Sequence, residues 1–139
     1  MAAAEGVSLN HIARESTDVK RLSKFYQEMF GFEEVETPDF GELKIIWLRL
    51  PSSSLLIHLI QHSNGELAPS SSIPVKDPSH IRLGHHLCFS ISNLHSFHNT
   101  LKDKGIETFE TTNGNIKRVF FYDPDGNELE VFASIEDSS

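Results

Sequence analysis

Cysteine occurs once in the 139 residues, at Cys88. A single thiol cannot form an intrachain disulfide, so nothing in the chain calls for an oxidising compartment. Long apolar runs are missing too: the longest are of strand length, too short to span a bilayer. Basic residues are scarce. Twelve Lys and Arg stand against twenty Asp and Glu, giving a formal net charge of −8 and a pI near 5.4. Such a balance lacks the electrostatic footprint of a nucleic-acid or anionic-membrane binder. The opening MAAAEGVSLNHIA meets an acid at Glu5 and has neither the apolar run of a signal peptide nor an Arg/Ser-rich transit pattern. A soluble, cytoplasmic protein with no nucleic-acid or membrane partner is the expectation.

What is present is a repeat. Residues 7–15 alternate as a strand, with Leu9, His11 and Ala13 on one face. Thr17 or Asp18 can cap a helix carrying Val19, Leu22, Phe25, Tyr26 and Met29 at helical spacing, and Gly31 stops it. Strands are expected at 32–37, 43–50 and 54–61, the last with His58 facing the same way as Leu56 and Ile60. Residues 62–83 hold three of the six prolines and many serines, and read as a linker. The pattern then restarts. GHHLCFSI at 84–91 is a strand with His86, Cys88 and Ser90 on one face, Asn93 caps a helix bearing Leu94, Phe97 and Leu101, and Gly105 stops it. Strands 106–112 and 115–122 are joined through Asn113-Gly114, a type I′ hairpin signal. The turn Asp123-Pro124-Asp125-Gly126 leads into strand 127–134.

The halves correspond by spacing. His11 precedes Asp18 by seven residues and His86 precedes Asn93 by seven; His11 precedes Gly31 by twenty and His86 precedes Gly105 by nineteen. Each half reads strand–helix–strand–strand–strand, which is architecture and not coincidence. The expected organisation is one domain over 1–139, with modules at 7–61 and 84–134 and the linker 62–83 between them.

The repeat also sorts the polar residues. In the last strand Glu128, Glu130 and Phe132 share one face and Leu129, Val131 and Ala133 the other, so Glu130 sits mid-strand among apolar neighbours. It either lies at an exposed edge or points into a cavity holding something positive. His11 and His58 occupy the first and fourth strands of one half, and His86 and Glu130 those of the other. If the halves curl and face each other, the four converge into a site whose imidazole and carboxylate donors suit Zn, Ni, Co or Fe(II). Other residues have plainer readings. Glu128 is a rim carboxylate, Cys88 a small buried hydrophobe, Phe121 and Phe132 core, and His95 and His98 solvated positions on the second helix. His85 alternates away from His86, and His62 and His80 lie in the linker.

LNHIA at 9–13, FYQEMFGFE at 25–33, GHHLCFSI at 84–91 and DPDGNELEVF at 123–132 resemble the vicinal-oxygen-chelate superfamily, glyoxalase I (lactoylglutathione lyase)-like proteins in particular. The likeness covers essentially the whole chain apart from 62–83 and the tails. It implies an α+β fold of two βαβββ modules forming a curved, open-barrel mixed sheet with helices outside, one divalent metal, and a homodimer whose partners commonly share the active site. In glyoxalase I the ligands fall on the first and fourth strands of both modules, and carried over they land on His11, His58, His86 and Glu130. The family reaction isomerises the hemithioacetal of methylglyoxal and glutathione to a thioester. The metal holds two vicinal oxygens and a carboxylate ligand moves the proton.

Two departures qualify the likeness. His58 stands where that enzyme usually has Glu, which leaves Glu130 as the only clear carboxylate for proton transfer, with His58 as a ligand and a second catalytic candidate. Glu15 stands where bacterial-type enzymes have an Arg for glutathione, and an acid is unfavourable beside a glutathione carboxylate. The resemblance therefore implies a glyoxalase I-like lyase or isomerase acting on a hemithioacetal or a related α-oxo compound, with a small-molecule substrate for which a glutathione adduct is one candidate. Extradiol dioxygenases and fosfomycin-type thiol transferases of the superfamily use two His and one Glu, which His11, His86 and Glu130 satisfy without His58. A non-catalytic binding module on the same fold is the third alternative.

Overall fold

Both helices begin where a short polar side chain satisfies an amide that has no partner within the helix. In α1 (Val19–Phe30) the Asp18 carboxylate accepts from the Arg21 amide at 3.2 Å, and Gly31 ends the helix in the left-handed region at φ 77°. In α2 (Leu94–Asp103) the Asn93 side chain accepts from the Ser96 amide at 3.1 Å. The computed structural model describes residues 3–61 and 77–135. It divides into two units, Met1–Ser72 and Ile73–Ser139.

The first unit adds β1 (His11–Glu15), β2 (Glu33–Val35), β3 (Lys44–Arg49) and β4 (Leu56–Gln61) to α1. The sheet order is β1-β4-β3-β2; β1 runs parallel to β4 and the other pairs are antiparallel. Leu48 pairs with Ile57 and Ile46 with Leu59, which puts Leu48, Ile57 and Leu59 on one face, all three fully buried. Val19, Leu22, Phe25 and Tyr26 form the buried stripe of α1, which packs on β3 and β4. Fully burying one such side chain stabilises by about 1.5–3 kcal/mol. The Val19 amide donates to Gln61 Oε1 at 2.9 Å, tying the start of the helix to the end of β4. Alternation therefore leaves His11, Ala13, Trp47 and His58 on the sheet face away from this core.

The second unit repeats the plan with β5 (Leu87–Ser90), β6 (Phe109–Asn113), β7 (Ile116–Tyr122) and β8 (Glu128–Ser134), in the order β5-β8-β7-β6 with β5 parallel to β8. Val119, Phe121, Leu129 and Val131 are fully buried on one face, and Phe97 of α2 meets Phe121 at 5.9 Å between ring centroids. Glu130 and Phe120 pair on the other face. Two four-stranded mixed sheets, each with its helix, realise the expected α+β plan of two βαβββ modules.

Four local expectations come out differently or only in part. The β6–β7 hairpin turns at Gly114 and Asn115, and only Gly114 has positive φ, at 60°. Positive φ at the first central position alone marks type II′ instead of type I′. His98, expected to be solvated, is buried at 3% exposure. Its Nε2 lies 3.0 Å from Thr108 Oγ1 and 3.2 Å from Glu110 Oε1, so the imidazole ties α2 to the region where β6 begins. Cys88, expected to be buried, is exposed. Of the segment read as linker, 62–76 lie outside the described residues, while Pro78–Leu83 form a 3-10 helix capped by Asp77. Its Ile81 is buried and the helix packs on β7.

The turn before β8 follows its sequence. Asp123 accepts from the amides of Asp125 and Asn127, each at 2.9 Å, and from Asn127 Nδ2 at 2.8 Å. The Gly126 amide closes the four-residue turn onto the Asp123 carbonyl. This turn sets the β7–β8 register, and the register decides what faces Glu130.

Candidate metal-binding faces

In the first unit β1 brings His11 up beside β4, where the His58 ring lies flat on it, centroids 3.8 Å apart and planes 12° from parallel. On the other side of His58 the Trp47 indole stacks at 4.4 Å and 4°. Direct pairing of Trp47 with His58 across β3 and β4 explains this contact. The His58 Nε2 is buried and finds no hydrogen-bond partner among the described residues. Burial, and then the charge of His11, lower the His58 pKa from its ordinary 6.5. A neutral imidazole with a buried free nitrogen has the form that binds a cation. His11 Nδ1 lies 2.8 Å from Asn10 Oδ1. An N–H donated there leaves Nε2 with its lone pair.

In the second unit His86, immediately before β5, places Nε2 2.9 Å from Glu130 Oε1. The other ring nitrogen, Nδ1, is 2.9 Å from the Gly84 carbonyl oxygen. A carbonyl only accepts, so Nδ1 is the donor there, and Nε2 faces the carboxylate either as a second N–H or as a nitrogen open to a metal. Glu130 is 5% exposed and its other oxygen, Oε2, accepts from Arg118 Nη1 at 2.6 Å. The guanidinium also lies over the Phe132 ring, 5.4 Å from its centroid. Cys88 pairs with Glu130 across β5 and β8. Although Cys88 reaches solvent, partial desolvation of its thiol, the hydrogen bond to Glu130 and that carboxylate's charge push it up to about 12, against the opposing charge of Arg118. Cys88 is therefore a thiol donor to Glu130 at neutral pH, not a thiolate.

The four sequence-derived residues thus stand as two pairs, His11 with His58 and His86 with Glu130. Among the described residues no group of three or more His, Cys, Asp or Glu side chains is gathered at one point. The donors fit a divalent metal by type: three imidazoles and one carboxylate. Sequence reasoning missed Arg118 and Trp47. The signal for Arg118 was the turn at 123–126, since a hairpin closed there puts Arg118 opposite Phe132, diagonal to Glu130.

A family model described as the Glyoxalase/Bleomycin resistance protein/Dioxygenase superfamily matches residues 8–131. No curated protein matches the chain. Among solved structures, the fosfomycin resistance protein FosX from Listeria monocytogenes is 21% identical with TM-score 0.67, covering 92% of this chain and 91% of that one. A glyoxylase/bleomycin resistance protein/dioxygenase domain from Frankia sp. EAN1pec is 22% identical with TM-score 0.67, covering 95% and 93%. A point variant of the Listeria FosX, complexed with Mn(II) and 1S,2S-dihydroxypropylphosphonic acid, is 20% identical with TM-score 0.66, covering 91% and 90%. These likenesses are of fold. Among the described residues no helix is long and apolar enough to cross a membrane.

Proposed function

The chain belongs to the glyoxalase/bleomycin resistance protein/dioxygenase superfamily, and from that premise we propose that it is a glyoxalase I-like, metal-dependent lyase or isomerase of the hemithioacetal of methylglyoxal or a related α-oxo compound. His11, His58, His86 and Glu130 are the candidate ligands of a divalent Zn, Ni, Co or Fe. The observation that carries the reading is the His86–Glu130 contact, in which an imidazole nitrogen and a carboxylate oxygen, both of metal-ligand type, converge at 2.9 Å.

When bound, the metal supplies Lewis-acid stabilisation of negative charge on a substrate oxygen. The protein's own groups do the rest. Glu130 is the group that moves a proton between adjacent carbons, and Arg118 and Cys88 hold its carboxylate in place. Trp47 holds the His58 ring in one plane, which orients its free Nε2. Glu15 on β1 disfavours glutathione as the thiol component. The reading carries with it a cytoplasmic homodimer, whose stoichiometry light scattering would measure.

The test is to load the protein separately with Zn, Ni, Co and Fe(II), count metal per chain beside a His11→Ala control, and follow thioester formation from hemithioacetals by ultraviolet absorbance. Stoichiometric metal lost in the control, with turnover, supports the reading. No retained metal with any ion overturns it in favour of a binding module.

A second reading is favoured by Arg118, a cation on the Glu130 face, and by the FosX likeness: addition to a fosfomycin-like phosphonate. Fosfomycin consumption in the presence of Mn(II) and a thiol, or of Mn(II) and water alone, would distinguish it.

A further inference from the structure

Resting on the hemithioacetal reading for its substrate, we infer that Arg118, with Thr111 on the next strand and Ser90 beyond Phe132 in the same row, forms an oxyanion subsite that takes a carboxylate on the thiol part of that substrate. The sheet register places the parts. Thr111 pairs with Arg118 across β6 and β7, Arg118 with Phe132 across β7 and β8, and Ser90 with Phe132 across β5 and β8. These four residues make one transverse row on the same face as Glu130. The neighbouring row, two residues along, holds Phe120, Glu130 and Cys88. A donor row thus runs beside the candidate ligand row, one pleat repeat away, the separation between reacting carbon and carboxylate in a small acidic substrate.

Arg118 has donors to spare. Among the described residues, one of the five N–H groups of the guanidinium is committed, to Glu130 at 2.6 Å. The side chain keeps 39% of its surface exposed, and Phe132 beneath the guanidinium fixes its plane. Ser90 is exposed and Thr111 half-exposed, so both hydroxyls can reach a ligand. A planar fork of N–H groups with two hydroxyl-bearing residues in the same row suits a carboxylate. In a chain of net charge −8 the subsite gives an acidic substrate a local foothold that the overall field denies it.

The test compares two hemithioacetals of methylglyoxal, one made with mercaptopropionate and one with mercaptopropionamide, on the metal-loaded protein. The expected result is a kcat/KM preference of about tenfold or more for the acid, as one charge-assisted hydrogen bond gives. Arg118→Met is expected to abolish the preference and Arg118→Lys to keep part of it. The pair Ser90→Ala and Thr111→Val, which leaves the Glu130 contacts alone, is expected to reduce it several-fold with metal content unchanged. No preference in the wild type, or a preference that survives Arg118→Met, overturns the inference while leaving the activity reading intact. If Arg118→Met loses its fold or metal, the Ser90 and Thr111 variant decides. If neither hemithioacetal turns over with any metal, the activity reading fails, and calorimetric titration with succinate and with succinamide tests the subsite alone. Succinate binding that weakens at least tenfold in Arg118→Lys or Arg118→Met supports it. Equal or absent binding of the two probes overturns it, and so does Arg118-dependent binding of methylphosphonate tighter than that of succinate.

Discussion

Glu130 shows how much of a residue's role lies in its neighbours. Its carboxylate meets an imidazole on one oxygen and a guanidinium on the other, so neutralising it removes charge from both contacts while keeping its shape. Glu130→Gln is therefore expected to retain the far-UV circular dichroism of the wild type and to lose turnover by about two to four orders of magnitude, the range for a proton-transfer group. His98 offers a different test. Burial holds its pKa below the ordinary 6.5; Glu110 opposes that shift, while Lys102, Lys117 and His95 reinforce it. A lowered folded-state pKa means that the neutral ring contributes stability fully above pH 6.5, lost as pH falls through the folded value. Urea titrations should show the stability advantage of wild type over His98→Gln shrinking between pH 7.5 and about pH 5.

The two hairpin turns of the second unit carry the register of the candidate site, and both are open to substitution. Asp123 is 4% exposed and satisfies two backbone amides and one side-chain amide. Asp123→Ala leaves those donors without their acceptor, at an expected cost of about 2–4 kcal/mol in denaturant unfolding. Gly114 has φ 60° with nothing within 4 Å of an added Cβ, so Gly114→Ala is penalised by backbone conformation alone, about 1–2 kcal/mol. Gly84→Ala, at φ −144° and equally uncrowded, is the control expected to cost almost nothing. The element types were legible because caps, alternation and glycine stops act locally. The turn type at Gly114 was not, because Asn-Gly signals a tight turn but the strand register decides which two residues occupy its centre.

For the whole chain, a resident metal should appear in stability as well as in activity. An ion that binds the folded protein and not the unfolded chain adds about 2.7 kcal/mol at one hundred times its dissociation constant. Each metal that loads should therefore raise the melting temperature by several degrees, in a chelator-reversible way, and the rise should be smaller in His86→Ala. An unchanged melting temperature with every ion would count against the metal assignment.

The sequence by itself determined the elements, their order and the correspondence of the halves, because helix caps, apolar period and turn residues act over a few positions. It also singled out His11, His58, His86 and Glu130, because a repeat exposes matching positions. Tertiary structure alone decided what each of them touches. Trp47 stacks on His58 through a pairing 11 residues distant in sequence, and Arg118 reaches Glu130 across a hairpin 12 residues apart. His98 turned inward because its partners Thr108 and Glu110 lie ten and twelve residues further along the chain. Contacts of that span depend on register and packing; of these, only the approach of Arg118 to Glu130 had a local signal, the turn at 123–126.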